Sequence, residues 1–446
     1  MHESLRRLPI TLAAFVLLAA AGGAAPSAPG AERYWPQWRG PLNSGEAPHA
    51  RPPVEWSETR NVRWKVEVPG QGKSTPVVWG DMVVVTAAVP IAKDLAARPA
   101  PAPPPGRPPM VAVASAYEFV VLAYARKDGK LLWRRAVREE RPHEGLHRDG
   151  TYASGSALTD GARVYAYFGS RGLYALDMSG RVVWEKDLGL MQTRLSFGEG
   201  ASPALHAGTL VVTWDHEGAD FIAAFEAATG REKWRRERDE PTSWATPHVV
   251  VHGGKAQVVV GGTNRLRSYD LETGEPVWQA AGLTANVIPT PVSAGGMVYA
   301  MSGFRGNALR AVRLADARGE VTGPPALAFS YDKDTPYVPS PLLLGDTLYF
   351  LKTNSGILTA LDARTGAARF TERLEAVPNV YASPVAADGR IYVVGREGST
   401  VVLAAGPQLK VLATNRLDEG FDASPALVDG EIYLRGARHL YRISTD

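Results

Sequence analysis

Apolar residues in this chain come in short runs, and each run closes on a polar pair and a glycine before an aromatic reappears four positions later. Ala223 to Trp234 reads AAFEAATGREKW, and the pattern returns in AYARKDGKLLW, ALDMSGRVVW, SYDLETGEPVW and ALDARTGAARF. The glycines are Gly129, Gly180, Gly230, Gly274 and Gly366. Glycine supplies the positive φ of a tight hairpin, and the Asp, Ser or Thr before it starts the turn by bonding its own backbone. The pattern predicts strand, turn, strand, with the aromatics Trp133, Trp184, Trp234, Trp278 and Phe370 on the outgoing strands. Their role is packing between repeated units.

A second signal marks where each unit begins. A Ser-Pro or Thr-Pro step leads into an apolar strand at Pro76, Pro203, Pro247, Pro291, Pro341, Pro384 and Pro425, with Ser156 in the equivalent place of the second unit. Proline suits the first residue of a strand, where its missing donor costs least. Successive anchors are 80, 47, 44, 44, 50, 43 and 41 residues apart. Repeats of this length built from short strands imply stacked or radial units that cannot bury their faces alone. The expectation is an all-β, eight-bladed propeller of four-stranded antiparallel blades, with seven blades as the alternative count.

The long first gap holds the Pro/Ala-rich segment 89–109, which is read as a loop inserted in the first blade. The last unit runs out of chain before its fourth strand, while Asn61 to Glu67 is a spare strand with Trp64 at its docking position. That strand is expected to close the ring and remove an open edge. Residues 61–446 are therefore assigned to the propeller.

Residues 1–25 carry Arg6 and Arg7 before an apolar run and read as a secretory signal peptide. Residues 26–60 form an N-terminal arm whose Trp35 and Trp38 are expected to pin it to the outside of the ring. The chain has no cysteine, hence no disulfide and no lipid-carrying cysteine. It is expected to be periplasmic or secreted, monomeric, and without stable membrane insertion. The balance of 49 basic and 46 acidic residues gives no reason to expect nucleic acid.

The G-x-x-x-W copies and the Ser/Thr-Pro starts resemble the pyrroloquinoline-quinone (PQQ) repeat family of propellers over nearly the whole mature chain. WPQWRGP, WDHEGADFIAAF, DEPTSWATP, TPYVPSP and LDEGFDASPA are similar to a secreted bacterial PQQ-like branch. The resemblance implies one of two roles. Quinoprotein dehydrogenases hold PQQ and calcium on the axis, while outer-membrane assembly lipoproteins bind no cofactor and serve as docking platforms. The dehydrogenases stack PQQ against a disulfide that this chain cannot form. The leading expectation is a non-catalytic scaffold without cofactor, engaging a protein or small ligand at its axial face; the alternative is a PQQ- or metal-dependent oxidoreductase.

Candidate rim residues lie on the loops just before the anchors: Tyr152, Trp244, Tyr337, Tyr381 and Phe421, with Glu199 and Asn286, and the arginines Arg305 and Arg396 on turns expected nearby. Aromatic faces and cations are what an anionic or aromatic ligand requires. A separate candidate metal set is His143, His147, Asp215, His216 and Glu217, since imidazole and carboxylate suit zinc. HEGLH has the zinc-protease spacing but contains Gly145 and follows Pro142, so a loop is expected there in place of a helix.

Overall fold

The computed structural model describes residues 30–99 and 113–445. The signal-peptide reading and part of the expected insertion lie outside the described residues. Among the described residues eight sheets are present, seven of four antiparallel strands and one with a fifth strand added; the strands run outward in chain order except in the last blade, whose outermost strand comes from the N-terminal side. Blade 1, numbered from the anchor at Pro76, consists of Val77–Trp79, Met82–Ile91, Ala116–Ala125 and Leu131–Glu140. The eight-blade expectation holds, and the seven-blade alternative does not.

Burial follows position in the blade. In blade 3 the middle strands Thr209–Trp214 and Phe221–Glu226 are buried nearly throughout, because neighbouring blades cover both faces. The outer strand Glu232–Glu237 is charged, and its only buried residue is Trp234. The indole Nε1 of Trp64, Trp133, Trp184 and Trp234 donates to a carbonyl of the next blade at 2.9–3.0 Å. Each ring lies over that blade's turn glycine, so a Cβ on Gly180 would come within 2.6 Å of Trp133. These glycines are fixed by a neighbour's ring as well as by their own positive φ.

Two aromatics depart from this geometry. Trp278 packs on blade 5 but bonds Gln257 Oε1 of its own blade, and it sits beside an unanticipated fifth strand, Gly319–Val321, which pairs in parallel with Pro276–Ala280. Phe370 docks by packing alone, against Tyr349 and the blade 7 core.

The ring closes as expected: Val62–Glu67 pairs antiparallel with His439–Ser444 and completes blade 8. Around the axis the residue before each anchor proline forms a belt. The backbone N–H of Thr75 donates to Ser156 Oγ, that of Ser156 to Ser202 Oγ, and that of Ser202 to Thr246 Oγ1, at 2.9–3.0 Å. Thr290 donates likewise to Ser340, Ser340 to Ser383, and Ser383 to Ser424. The belt is interrupted in two places, where Thr290 Oγ1 and Thr75 Oγ1 have no partner.

Trp35 and Trp38 do not hold the arm on the outside of the ring. Trp35 is fully buried and exchanges backbone bonds with Val78 of blade 1, and Pro36 accepts from Thr159 of blade 2. Asn43 donates to His248 of blade 4, Arg39 to the carbonyls of Pro341 and Pro384 in blades 6 and 7, and Arg51 to Asp429 of blade 8. The stretch from Trp35 to Arg51 thus crosses the inner strands, while Val54 and Trp56 reach the outer strand of blade 7 through Asn415. The blade 1 insertion also begins later than expected. Val89, Pro90 and Ile91 still pair with Glu118, Tyr117 and Ala116. Beyond them Arg98 anchors the segment to Glu140 at 3.0 Å and Asp187 at 2.9 Å.

Candidate functional site

The loops that lead into the inner strands meet on one face of the ring around a cavity of about 470 Å³. One register position supplies a residue from every blade. Lys73, Gly200, Trp244, Ile288, Val338, Tyr381 and Asp422, each three residues before the anchor proline, all line it, and so does Ser154, since in blade 2 the proline's place is taken by Ala157 and not, as expected, by Ser156, whose hydroxyl belongs to the belt. The chain reaches the axis at this point before turning into the strand, so the side chain there faces the opening. Blades 4 to 7 contribute an apolar arc and blades 8 to 3 a small and charged one. Phe197, Phe304 and Tyr337 widen the aromatic lining, and Trp38 of the arm adds a further indole.

The aromatic arc is held rigidly. Trp244 Nε1 donates to the Gly198 carbonyl at 2.7 Å, and Tyr337 stacks on Phe304 with centroids 4.9 Å apart. Tyr381 carries the Arg396 guanidinium 3.9 Å above its ring and donates its hydroxyl to Asp149 at 3.2 Å. Arg396 pairs in turn with Asp422 at 2.6 Å and Asp149 at 3.2 Å, while Lys73 pairs with Asp422 at 2.5 Å. Burial raises the phenol pKa of Tyr337 and Tyr381, so both are neutral donors.

Of the rim residues expected from sequence, Trp244, Tyr337, Tyr381 and Glu199 line the cavity. Tyr152 turns beneath it, where its hydroxyl donates to the Glu144 carbonyl at 3.0 Å and Arg171 lies over its ring. Phe421 is a core residue against Tyr441. Asn286 is buried in a left-handed turn, and Arg305 is exposed over Phe304. Arg396 acts from behind Tyr381. Lining residues that the sequence did not point to include Lys73, Asp149, Phe197, Phe304 and Asp422, while Trp38 was expected on the outside of the ring; the register signal was available for Lys73 and Asp422, which stand three before their anchors.

The five candidate metal ligands do not converge. Asp215 is clasped by Arg238 at 2.6 and 3.0 Å and accepts from Ser243. His216 Nδ1 accepts from the Gln192 N–H, and Glu217 accepts from Thr242 Oγ1. His147 sits at the cavity, edge-on to Phe197, on the expected loop. Only His143 shares a cluster of possible ligand atoms, with Glu144 and Glu199. Those atoms are already engaged: His143 Nε2 donates to the Met191 carbonyl, Glu144 accepts from Thr193, and Glu199 accepts from Arg171 and Ser170. Burial first, then Arg171, lowers the His143 pKa. Burial raises that of Glu144 to about 7.

The sequence model of a family described as outer membrane protein assembly factor BamB matches residues 54–218, 117–247 and 219–446. A relative of that name from Burkholderia pseudomallei (strain K96243) is 28% identical over 155 residues, 34% of this chain and 35% of the relative. The chain thus spans about a third of the length of the curated relative it matches. The structure of BamB from Moraxella catarrhalis superposes with a TM-score of 0.57 at 15% identity, over 86% of this chain and 99% of that one. Quinohemoprotein alcohol dehydrogenase from Comamonas testosteroni gives 0.59 at 12% identity, over 93% and 80%. At these identities the likeness is one of fold. Among the described residues no helix is long and apolar enough to cross a membrane.

Proposed function

This chain belongs to the family described as outer membrane protein assembly factor BamB, and on that premise we propose that it is an exported, non-catalytic scaffold that holds a partner protein at its axial face. The observation that carries the reading is the divided lining of the axial cavity. Trp244, Ile288, Val338 and Tyr381 offer a preformed apolar surface, and Lys73 and Asp422 face it with charge. Such a site suits one apolar anchor flanked by polar residues, the usual composition of a binding hot spot and its rim. A shared repeat does not decide function, so the reading rests on this lining.

The quinoprotein alternative requires oxygen ligands for calcium, which takes six to eight of them. The carboxylates at the cavity are Asp149, Asp422 and Glu199, and each is paired with a cation, Arg396, Lys73 or Arg171. This donor set does not fit a calcium-bound quinone.

The test is capture from solubilised envelope of the source cell by the mature protein and by the triple variant Trp244→Ala, Tyr337→Ala, Tyr381→Ala. The wild type is expected to retain a defined set of envelope proteins that the triple variant loses while keeping its circular dichroism. An unchanged set on the folded variant would overturn the site assignment.

A further inference from the structure

Beside the axial cavity, on the same face and between blades 8 and 1, lies a second cavity of about 340 Å³. Its lining carries four cations, Lys73, Arg148, Arg396 and Arg435, against one carboxylate, Asp422. Two of the cations are matched. Lys73 and Arg396 share Asp422 and, through Arg396, Asp149.

Of the other two, Arg148 has only a long, exposed pair and Arg435 has none. Arg148 is exposed and comes no nearer than 3.9 Å to Asp149. Arg435 is 2% exposed, and its hydrogen bonds go only to neutral oxygens, Ser74 Oγ at 2.8 Å and the Thr86 carbonyl. Its Nε has no partner at all. The absence of a side chain on Gly72 is what admits the guanidinium, since a Cβ there would come within 2.3 Å of Nη2. A charged group taken out of water without a counter-charge is strongly disfavoured, and burial accordingly lowers the pKa of Arg435 to about 10. A site arranged this way is completed by an anion.

We propose that this side cavity binds the oxyanion head group of a small molecule, a carboxylate or a phosphate, with Arg435 beneath it and Arg148 at its rim. Arginine forks favour both head groups through paired, charge-assisted hydrogen bonds. Lys73, Arg148, Gly150, Thr151 and Asp422 border both cavities, so the two are contiguous. A ligand with its anion in the side cavity projects the rest of its body towards Trp244 and Tyr381. The class is therefore an amphipathic anion, and the inference does not depend on the protein-scaffold reading.

Calorimetric titration of the mature protein at constant ionic strength, with inorganic phosphate, acetate and phenylacetate, tests it. Saturable binding of phosphate or phenylacetate is expected, and the stronger of the two names the head group; a phenylacetate affinity at least tenfold above that of acetate reports the apolar body in the axial cavity. Arg148→Glu, on an exposed side chain that folding does not need, is expected to weaken binding at least tenfold. Asp422→Asn is expected to tighten it several-fold by releasing Lys73 and Arg396, a gain that a merely structural role would not give. Absence of saturable binding to any of the three, or an Arg148→Glu protein that binds as well as wild type, would overturn the proposal. Loss of partner capture with anion binding intact would count against the scaffold reading alone.

Discussion

Glu144 is a carboxyl group kept mostly out of water, 1% exposed, with Thr193 donating to it through both N–H and Oγ1. Burial is the largest cause of its raised pKa and the Glu199 charge adds to it, against the Thr193 bonds; the result is about 7 in place of 4.5. The folded state therefore holds a proton that the unfolded state has released between those values. Stability from this group is complete below about pH 4.5 and falls as pH rises through 7. Glu144→Gln keeps an acceptor for Thr193 and removes the titration. Relative to wild type, the variant is expected to gain about 1–3 kcal/mol between pH 5 and pH 8, read from urea midpoints at the two pH values. Residue choice also explains what was legible at the cavity. Reading for aromatic type found Trp244, Tyr337 and Tyr381 but also took in Tyr152 and Phe421, whose rings point into protein. Reading for register, three before each anchor, picks out Trp244 and Tyr381 and leaves out Tyr152 and Phe421, because the backbone decides which position faces the axis; Tyr337, four before Pro341 like Phe421 before Pro425, reaches the cavity by stacking on Phe304.

The element least visible in the sequence was the arm. Each blade repeats its own pattern, so strands and turns could be read locally, whereas the arm has no repeat and its contacts reach across hundreds of residues, to the starts of inner strands and to the outer strand of blade 7. Blade 7 shows why it matters. Its docking position, set by the pairing of Val402 with Ala413, carries alanine where the other blades carry an aromatic. Trp56 of the arm makes good the deficit: it is 4% exposed, stacks on Tyr392 and takes Asn415 Oδ1 as acceptor for its backbone N–H at 2.8 Å. Trp56→Ala is expected to cost about 3–5 kcal/mol, the loss for emptying a buried aromatic site, as measured by chemical denaturation. A cost below 1 kcal/mol would mean that blade 7 does not need the ring.

At the scale of the molecule, the two interruptions of the hydroxyl belt fall between blades 4 and 5 and between blades 8 and 1, dividing the eight blades into two sets of four. Other groups span these seams. Asn43 of the arm bonds His248, which bonds Ser293 of blade 5, and Arg435 of blade 8 reaches Ser74 before blade 1. The Thr246 and Ser424 amides are expected to exchange with deuterium faster than those of Thr75, Ser156, Ser202, Thr290, Ser340 and Ser383, as resolved by NMR. Equal protection at all eight would show the ring to be uniform. A ring joined blade to blade at six belt positions, and at the other two only through the arm and Arg435, is expected to have one softer diameter, a clasp whose line of opening runs through the anion cavity.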